Sequence, residues 1–366
     1  MKIAVYGLGA IGGLMAARLA QAGYTVSAVA RGQTLQAVRA QGLCLHALSG
    51  TGATGAAGSS GTTGAAGVAG AAGAAAPASS DRAHLQVNAE PVQVSLHAVS
   101  DQPADLGPQD LVIVAVKTTA LPAIAQAIQP LLGPDTAILS AMNGIPWWFF
   151  DGLQGAPSGI HLETVDPGRQ LAQALPAQRV IGCVTHLAAT SPQPGHVQPV
   201  AGNSLIIGEL HGRSSERVQS VARALRDAGF DTAITDAIQR EIWFKLWGNM
   251  TVNPVSAITG ATGDRILDDA YVRNFMSRCM LEAARVGARI GLPIDADPEE
   301  RHAVTRKLGA FRTSMLQDKL AGRPLELDAL VAAVIEIAHN VGEDVPSIET
   351  LFGLARLQAR GLKLYP

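Results

Sequence analysis

Lys245, Asn249 and Asn253 fall at i, i+4 and i+8 within KLWGNMTVNP, immediately ahead of Pro254. Four-residue steps drift by only ~40° around a helix, so the three polar ends line one stripe about 12 Å long. One ammonium and two neutral amides stand here among Trp243, Phe244, Leu246, Trp247 and Met250. That mixture suits a pocket wall facing a small oxygen-rich molecule. Amides fix carboxylate or carbonyl oxygens, and an ammonium can give up a proton. A satisfied polar seam between packed helices is the competing reading. Pro254 is expected to end the helix. Further on, Ser314 in TSMLQD and Glu326 in PLELD add a hydroxyl and an acid twelve residues apart; alone, each could equally cap or decorate a helix.

A second constellation opens the chain. The apolar run Lys2 to Tyr6 leads into Gly7-Leu8-Gly9-Ala10-Ile11-Gly12-Gly13, then a helical pattern from Leu14 to Ala22, Gly23, and a second apolar run from Thr25 to Ala30. Strand, G-x-G-x-x-G, helix, strand is the context that makes the glycine pattern a dinucleotide fingerprint. Gly7 permits the tight turn, Gly9 lets backbone approach a pyrophosphate, and Gly12 allows close helix–strand packing. Ala10 and Ile11 begin the helix whose free N–H groups would meet the anion. An acid about 20 residues on would hold a ribose 2′-hydroxyl. This chain has Val29-Ala30-Arg31-Gly32 instead, and a guanidinium favours a 2′-phosphate. The expected cofactor is therefore NADP(H).

Between these two sites, the apolar run Leu111 to Val116 ends on Lys117-Thr118-Thr119, with a helix expected to about Leu132; the strand Thr136 to Met142 ends on Asn143-Gly144. Ligands of open α/β sheets bind at the carboxyl ends of strands, so Lys117 and Asn143 emerge where a dinucleotide would lie. A solvated loop lysine and an ordinary Asn-Gly turn are the alternatives. Trp147-Trp148-Phe149-Phe150 could wall a pocket, though core or interface packing is favoured. Short strands are expected at Leu85 to Asn88 and Val92 to Leu96, with longer ones at Val180 to Ala188, His196 to Val200 and Ser204 to Gly208. A helix is expected from Ser215 to Ala228. From Asp236, which with Gln239 could cap a helix, helical periodicity dominates. Strands alternating with helices, then helices alone, indicate an α/β Rossmann-type doubly wound domain over 1–235 and an all-α domain over 236–366.

Composition narrows the class. At 366 residues the chain is long enough for two cores, and its net charge of −2 shows no basic stripe for nucleic acid. No apolar run reaches membrane-spanning length, and the chain opens on a strand rather than a signal peptide. Cys44, Cys183 and Cys279 are widely spaced, without metal or redox pattern, and read as small buried hydrophobes. A cytoplasmic enzyme without metal fits these features. From Gly52 to Gly73 glycine recurs at every third position between Ala, Ser and Thr, but without collagen's proline. Residues 50–80 read as a flexible insertion in a surface connection.

Taken together, GLGAIGG, VKT at 117, MNG at 143, K-L-x-x-N-x-x-x-N-P at 245–254 and SMLQD…E at 314–326 resemble the ketopantoate reductase (2-dehydropantoate 2-reductase) family, over nearly the whole chain and in the family's order. The resemblance implies a 6-phosphogluconate-dehydrogenase-like fold and NADPH-dependent reduction of ketopantoate to pantoate, a step of pantothenate biosynthesis. It implies Lys245 as general acid and Glu326 as a substrate-orienting carboxylate, the two facing each other across one cleft. Asn249, Asn253 and Ser314 would hold the substrate, Lys117 and Asn143 would lie beside the cofactor, and Arg31 would take its 2′-phosphate. A homodimer is also suggested. Ala120 stands where a glutamine often follows the cofactor lysine, no further asparagine appears in 257–263, and 147–168 is long and aromatic. Another 2-oxo acid is therefore an alternative substrate. A non-catalytic NADPH sensor is a third reading, but it has no use for the lysine, asparagines and glutamate together.

Overall fold

The computed structural model describes residues 1–48 and 90–366, so the Gly/Ala-rich stretch and the strand expected at 85–88 lie outside the described residues. The first half of the chain alternates strands and helices: β1 (Lys2–Tyr6), α1 (Ala10–Gln21), β2 (Thr25–Val29), α2 (Gly32–Gln41), β3 (Leu43–Leu45), β4 (Val92–Val94), β5 (Ala98–Ser100), β6 (Gln109–Val114), α3 (Leu121–Ala125) and β7 (Leu132–Ser140). After α4 (Gln170–Ala174) come β8 (Val180–Thr190), β9 (His196–Glu209), α5 (Glu216–Asp227) and β10 (Asp231–Ile234). Helices follow: α6 (Ile238–Thr259), α7 (Gly263–Asp268), α8 (Ala270–Arg289), α9 (Pro298–Arg306), α10 (Ser314–Leu320), α11 (Ala333–Val341) and α12 (Pro346–Gly361).

The sheet runs β4-β3-β9-β8-β7-β6-β1-β2-β5. Its stretch β5-β2-β1-β6-β7-β8 is parallel throughout and has the Rossmann order, which reverses between β1 and β6 and leaves a crevice there. On β1, Ile3 and Val5 enter one core with α1 and α5, while Ala4 and Tyr6 enter the other. Burial on both faces explains the unbroken apolar runs of β1 and β6. The second core continues through Trp147, Trp148 and Phe149 into the helical half at Leu330, Val334 and Ile337. The aromatic cluster is therefore packing, with Trp147 Nε1 donating to the Leu175 carbonyl at 3.1 Å. The architecture is the 6-phosphogluconate-dehydrogenase-like one, an α/β domain followed by helices.

Several expectations need correction. The helix expected from 118 to about 132 is broken into 3₁₀ turns and the five-residue α3, because Pro130 removes a donor and clashes with the preceding turn. His196–Val200 and Ser204–Gly208 are one strand, β9, whose pairing with β8 shifts register near Gly202. Asp236 and Gln239 do not cap α6: Ala237 stands at its N-terminus, and Gln239 donates to the carbonyls of Asp151 and Leu210 at 3.0 Å each. Pro254 does not end α6, which continues to Thr259 and stops where Gly260 turns left-handed at φ 73°. The buried Met250, Val252, Val255 and Ala257 hold that helix across its one missing bond.

Candidate active site

The glycine loop fits a dinucleotide phosphate. Gly7 has φ +98°, and a Cβ there would lie 2.7 Å from Val116 Cγ1. A Cβ on Gly12 would sit 2.0 Å from the Gly7 carbonyl oxygen, so only hydrogen lets α1 cross β1 so closely. A Cβ on Gly9 would meet nothing within 4 Å. The space above Gly9 is thus left open, at the end of α1 where Ala10 and Ile11 present unbonded backbone N–H groups. Arg31 lies exposed just beyond β2, at the start of α2, on the side of the crevice expected for the adenosine end.

Lys245 projects from α6 back to the sheet. Its Nζ donates to Asn143 Oδ1 at 2.7 Å, to the Thr185 carbonyl at 2.7 Å, and more loosely to Thr185 Oγ1 at 3.3 Å. An ammonium can only donate, so the Asn143 atom facing it is the oxygen, and the amide N–H₂ points elsewhere. The Thr185 carbonyl is available because β8 pairs with β7 only as far as Gly182. A register break between His186 and Leu187 follows at once, the kind of bulge that re-aims groups beside sites. Asn143, Lys245 and Asn249 line one narrow cleft with Val184, Ile242 and Leu246.

The electrostatics favour a proton donor. Desolvation lowers Lys245 to about 8, and the nearby Arg301 cation pushes the same way while Glu326 opposes it. The Cys183 thiol, raised to about 12 by burial, stays neutral beside it. His186, though exposed on β8, is pushed below its ordinary value by partial desolvation and then by the Lys245 and Arg301 charges, and is neutral near pH 7.

Glu326 does not line that cleft; it stands between α10 and α11, near enough for Lys245 to feel its charge. Its carboxylate accepts from Thr118 N at 2.9 Å and from Thr118 Oγ1 at 3.1 Å, and burial raises it above the usual carboxylate value. It does not pair directly with Lys245; each reaches across to the sheet, and they feel one another only through space. Two residues on, a π-helical turn over Asp328–Ala332 leads into α11. There the Ala329 carbonyl accepts from Ile145 N at 2.8 Å, and Gly144, at φ +82°, leaves room for it. Lys117 forms an ion pair with Asp318 and reaches the Pro324 carbonyl at 3.4 Å, so its ammonium joins the two halves at the cleft edge. Asn253 is buried one turn beyond Asn249 on α6, and Ser314 is exposed at the start of α10, which packs on α6. Thr313, not Ser314, caps α10 by accepting from Leu316 N at 3.1 Å.

Thr185, His186 and Arg301 are members of this site that the sequence does not flag, and Thr118 enters there only as part of the VKT motif. The one trace is Gly248: a mid-helix glycine costs about 1 kcal/mol and here marks the approach of Arg301, whose Nε would lie 2.9 Å from a Cβ at that position.

A glycine loop on a Rossmann sheet, with a desolvated lysine and amides facing it from a helical domain, defines a dinucleotide-dependent oxidoreductase acting on a small carbonyl compound. Two family models match the chain: "Ketopantoate reductase PanE/ApbA" over residues 3–57 and 78–212, and its C-terminal companion over 237–359. The chain belongs to the ketopantoate reductase family, which consists of NADPH-using oxidoreductases. It is similar to a 2-dehydropantoate 2-reductase of Mesorhizobium japonicum, 37% identical over 97% of each chain. It is also similar to a Ralstonia solanacearum MolK2 structure provisionally described as a ketopantoate reductase. That structure is 45% identical with a TM-score of 0.85, and the match covers 100% of this chain and 99% of the other. D-mandelate dehydrogenase shares the fold, with a TM-score of 0.75 at 20% identity. Among the described residues no helix is long and apolar enough to cross a membrane.

Proposed function

We propose that this chain reduces 2-dehydropantoate to pantoate with NADPH, and that Lys245 is the general acid. The observation that carries the reading is the lysine's setting: two short bonds to Asn143 and Thr185, and a value near 8. When bound, NADPH would supply the hydride that adds to the ketone carbon and leaves its oxygen as an alkoxide. Gly7, Gly9, Gly12 and the Ala10–Ile11 turn hold its pyrophosphate, Arg31 takes the 2′-phosphate, and Lys117 and Asn143 flank its nicotinamide end. Lys245 commits two donors to fixed acceptors, so its third, loosely held proton is the one given to the alkoxide. Asn249, Asn253 and Ser314 orient the carboxylate and carbonyl region, and Glu326 accepts from a substrate hydroxyl. A pure sensor would have no reason to keep a desolvated ammonium in this cleft. The test follows NADPH absorbance with ketopantoate and a panel of other 2-oxo acids. Ketopantoate should be the preferred substrate, and Lys245→Ala should cut turnover by ~10²–10⁴-fold with NADPH affinity nearly unchanged. Turnover equal to wild type would remove Lys245 from the mechanism, and preference for another acid would reassign the substrate.

A further inference from the structure

Arg301, on α9, carries a guanidinium whose donors find no acceptor among the described residues. Its Nε is fully buried without a partner, and no carboxylate forms an ion pair with it. The group lies over the Phe244 ring, 5.6 Å from its centroid, and against Gly248 on the same helix. Phe244 and Gly248 form the stripe of α6 beside Lys245 and Asn249. The guanidinium therefore lies beside the stripe that bears the proton donor, near enough for Lys245 to feel its charge.

A guanidinium partly withdrawn from water loses hydration that a partner must replace, and here Nε is sealed off while the terminal nitrogens stay reachable from outside. Nothing on hand replaces that hydration. Phe244 offers only a ring face, worth ~0.5–2 kcal/mol. Lys245 is a like charge, and Cys183 and His186 are neutral near pH 7. Glu326 is engaged with Thr118. Two neighbouring cations, with their local carboxylate turned elsewhere, call for an incoming anion. We infer that Arg301 binds the carboxylate of the 2-oxo acid and sets the enzyme's preference for acids over neutral ketones.

This inference rests on the proposed reaction and deepens it. The amides of Asn249 and Asn253 can orient oxygens, but they carry no charge to neutralise a carboxylate. Residues at i and i+3 lie about 5–6 Å apart on a helix. Lys245 and Gly248, against which Arg301 rests, are thus neighbours on α6, and the two cations are near enough for Lys245 to feel the Arg301 charge. The carbonyl oxygen of a 2-oxo acid can meet the ammonium while its adjacent carboxylate meets the planar fork, which suits bidentate binding. The mid-helix glycine keeps that fork in place, because any Cβ at 248 would strike it.

The test compares wild type, Arg301→Gln and Arg301→Lys on ketopantoate and on ketopantoyl lactone, which keeps the ketone but ties the carboxylate into an ester. Arg301→Gln should raise KM for ketopantoate by roughly 10²-fold, leave KM for NADPH and activity on the lactone near wild type, and so collapse the preference for the acid. Arg301→Lys, which keeps the charge but loses the fork, should fall between. A second readout is the alkaline limb of kcat/KM, set by Lys245 among Cys183, His186 and Glu326. Removing the Arg301 cation should move it upward from about 8. If Arg301→Gln or Arg301→Lys retains the wild-type ratio of acid to lactone, the inference falls and Arg301 is a packing residue. Should another 2-oxo acid prove to be the substrate, the proposed function falls. The same comparison, of that acid with its methyl ester, then still judges Arg301.

Discussion

Lys245 is held on fixed acceptors from strand β8 and from the loop that follows β7, at a value of about 8 against an ordinary 10.5. A general acid works best with a value near the operating pH, and desolvation supplies that here. Since reduction needs the protonated amine, kcat/KM should be level below about 8 and fall about tenfold per unit above it, measured as a pH profile at saturating NADPH. A limb near 10.5 would mean that the lysine is not tuned by its surroundings. The lysine and its asparagines were legible in the sequence because helical stacking is a local rule. Thr185 was not, since its contribution is a backbone carbonyl that any residue carries and that only the end of β7 exposes. Arg301 was not legible either, because nothing in spacing links it to Gly248 before α9 packs on α7 and α8 and the side chain reaches α6.

At the scale of elements, the β1–α1 unit separates two roles of glycine that the motif treats alike. Gly9 faces open space, so Gly9→Ala should fold with an unchanged melting temperature yet lose about tenfold or more in NADPH affinity, because the methyl enters the phosphate site. Gly12→Ala drives a methyl into the Gly7 carbonyl at 2.0 Å and should cost about 3 kcal/mol of stability as well as binding. Calorimetry with a cofactor titration distinguishes the two, and a Gly9→Ala variant that binds NADPH normally would remove the phosphate from this loop. The unit was readable because strand, turn and helix each carry their own local signal. Pro254 misled for the opposite reason: a local rule predicts a break, and burial of the α6 flanks outweighs it. The 118–132 segment failed differently, with Pro122 and Pro130 in plain view while the surrounding apolar residues suggested a helix.

For the whole molecule, the Rossmann order followed from the alternation of elements, but the added strands did not. β3 and β10 are too short to show a period and gain their identity only from neighbouring strands, as does β5 within the Rossmann order itself. β3 and β4 pair antiparallel, Leu45 opposite Val92, so the chain leaves and re-enters the sheet at adjacent points. Residues 58–77 also lie outside the family match. Removing 58–77 should therefore leave kcat within about twofold, since the flanks are already joined and loop closure depends weakly on length. A large loss in turnover would give that stretch a part in the reaction. The same wholeness governs the proton donor. Lys245 rides on the helical half, while Thr185 belongs to the sheet and Asn143 to the loop that leaves it. Any parting of the halves strips away both acceptors at once, wets the amine and returns it toward the strength of a free lysine. Acid strength is thus a property of the seam between the halves, and neither half would confer it alone.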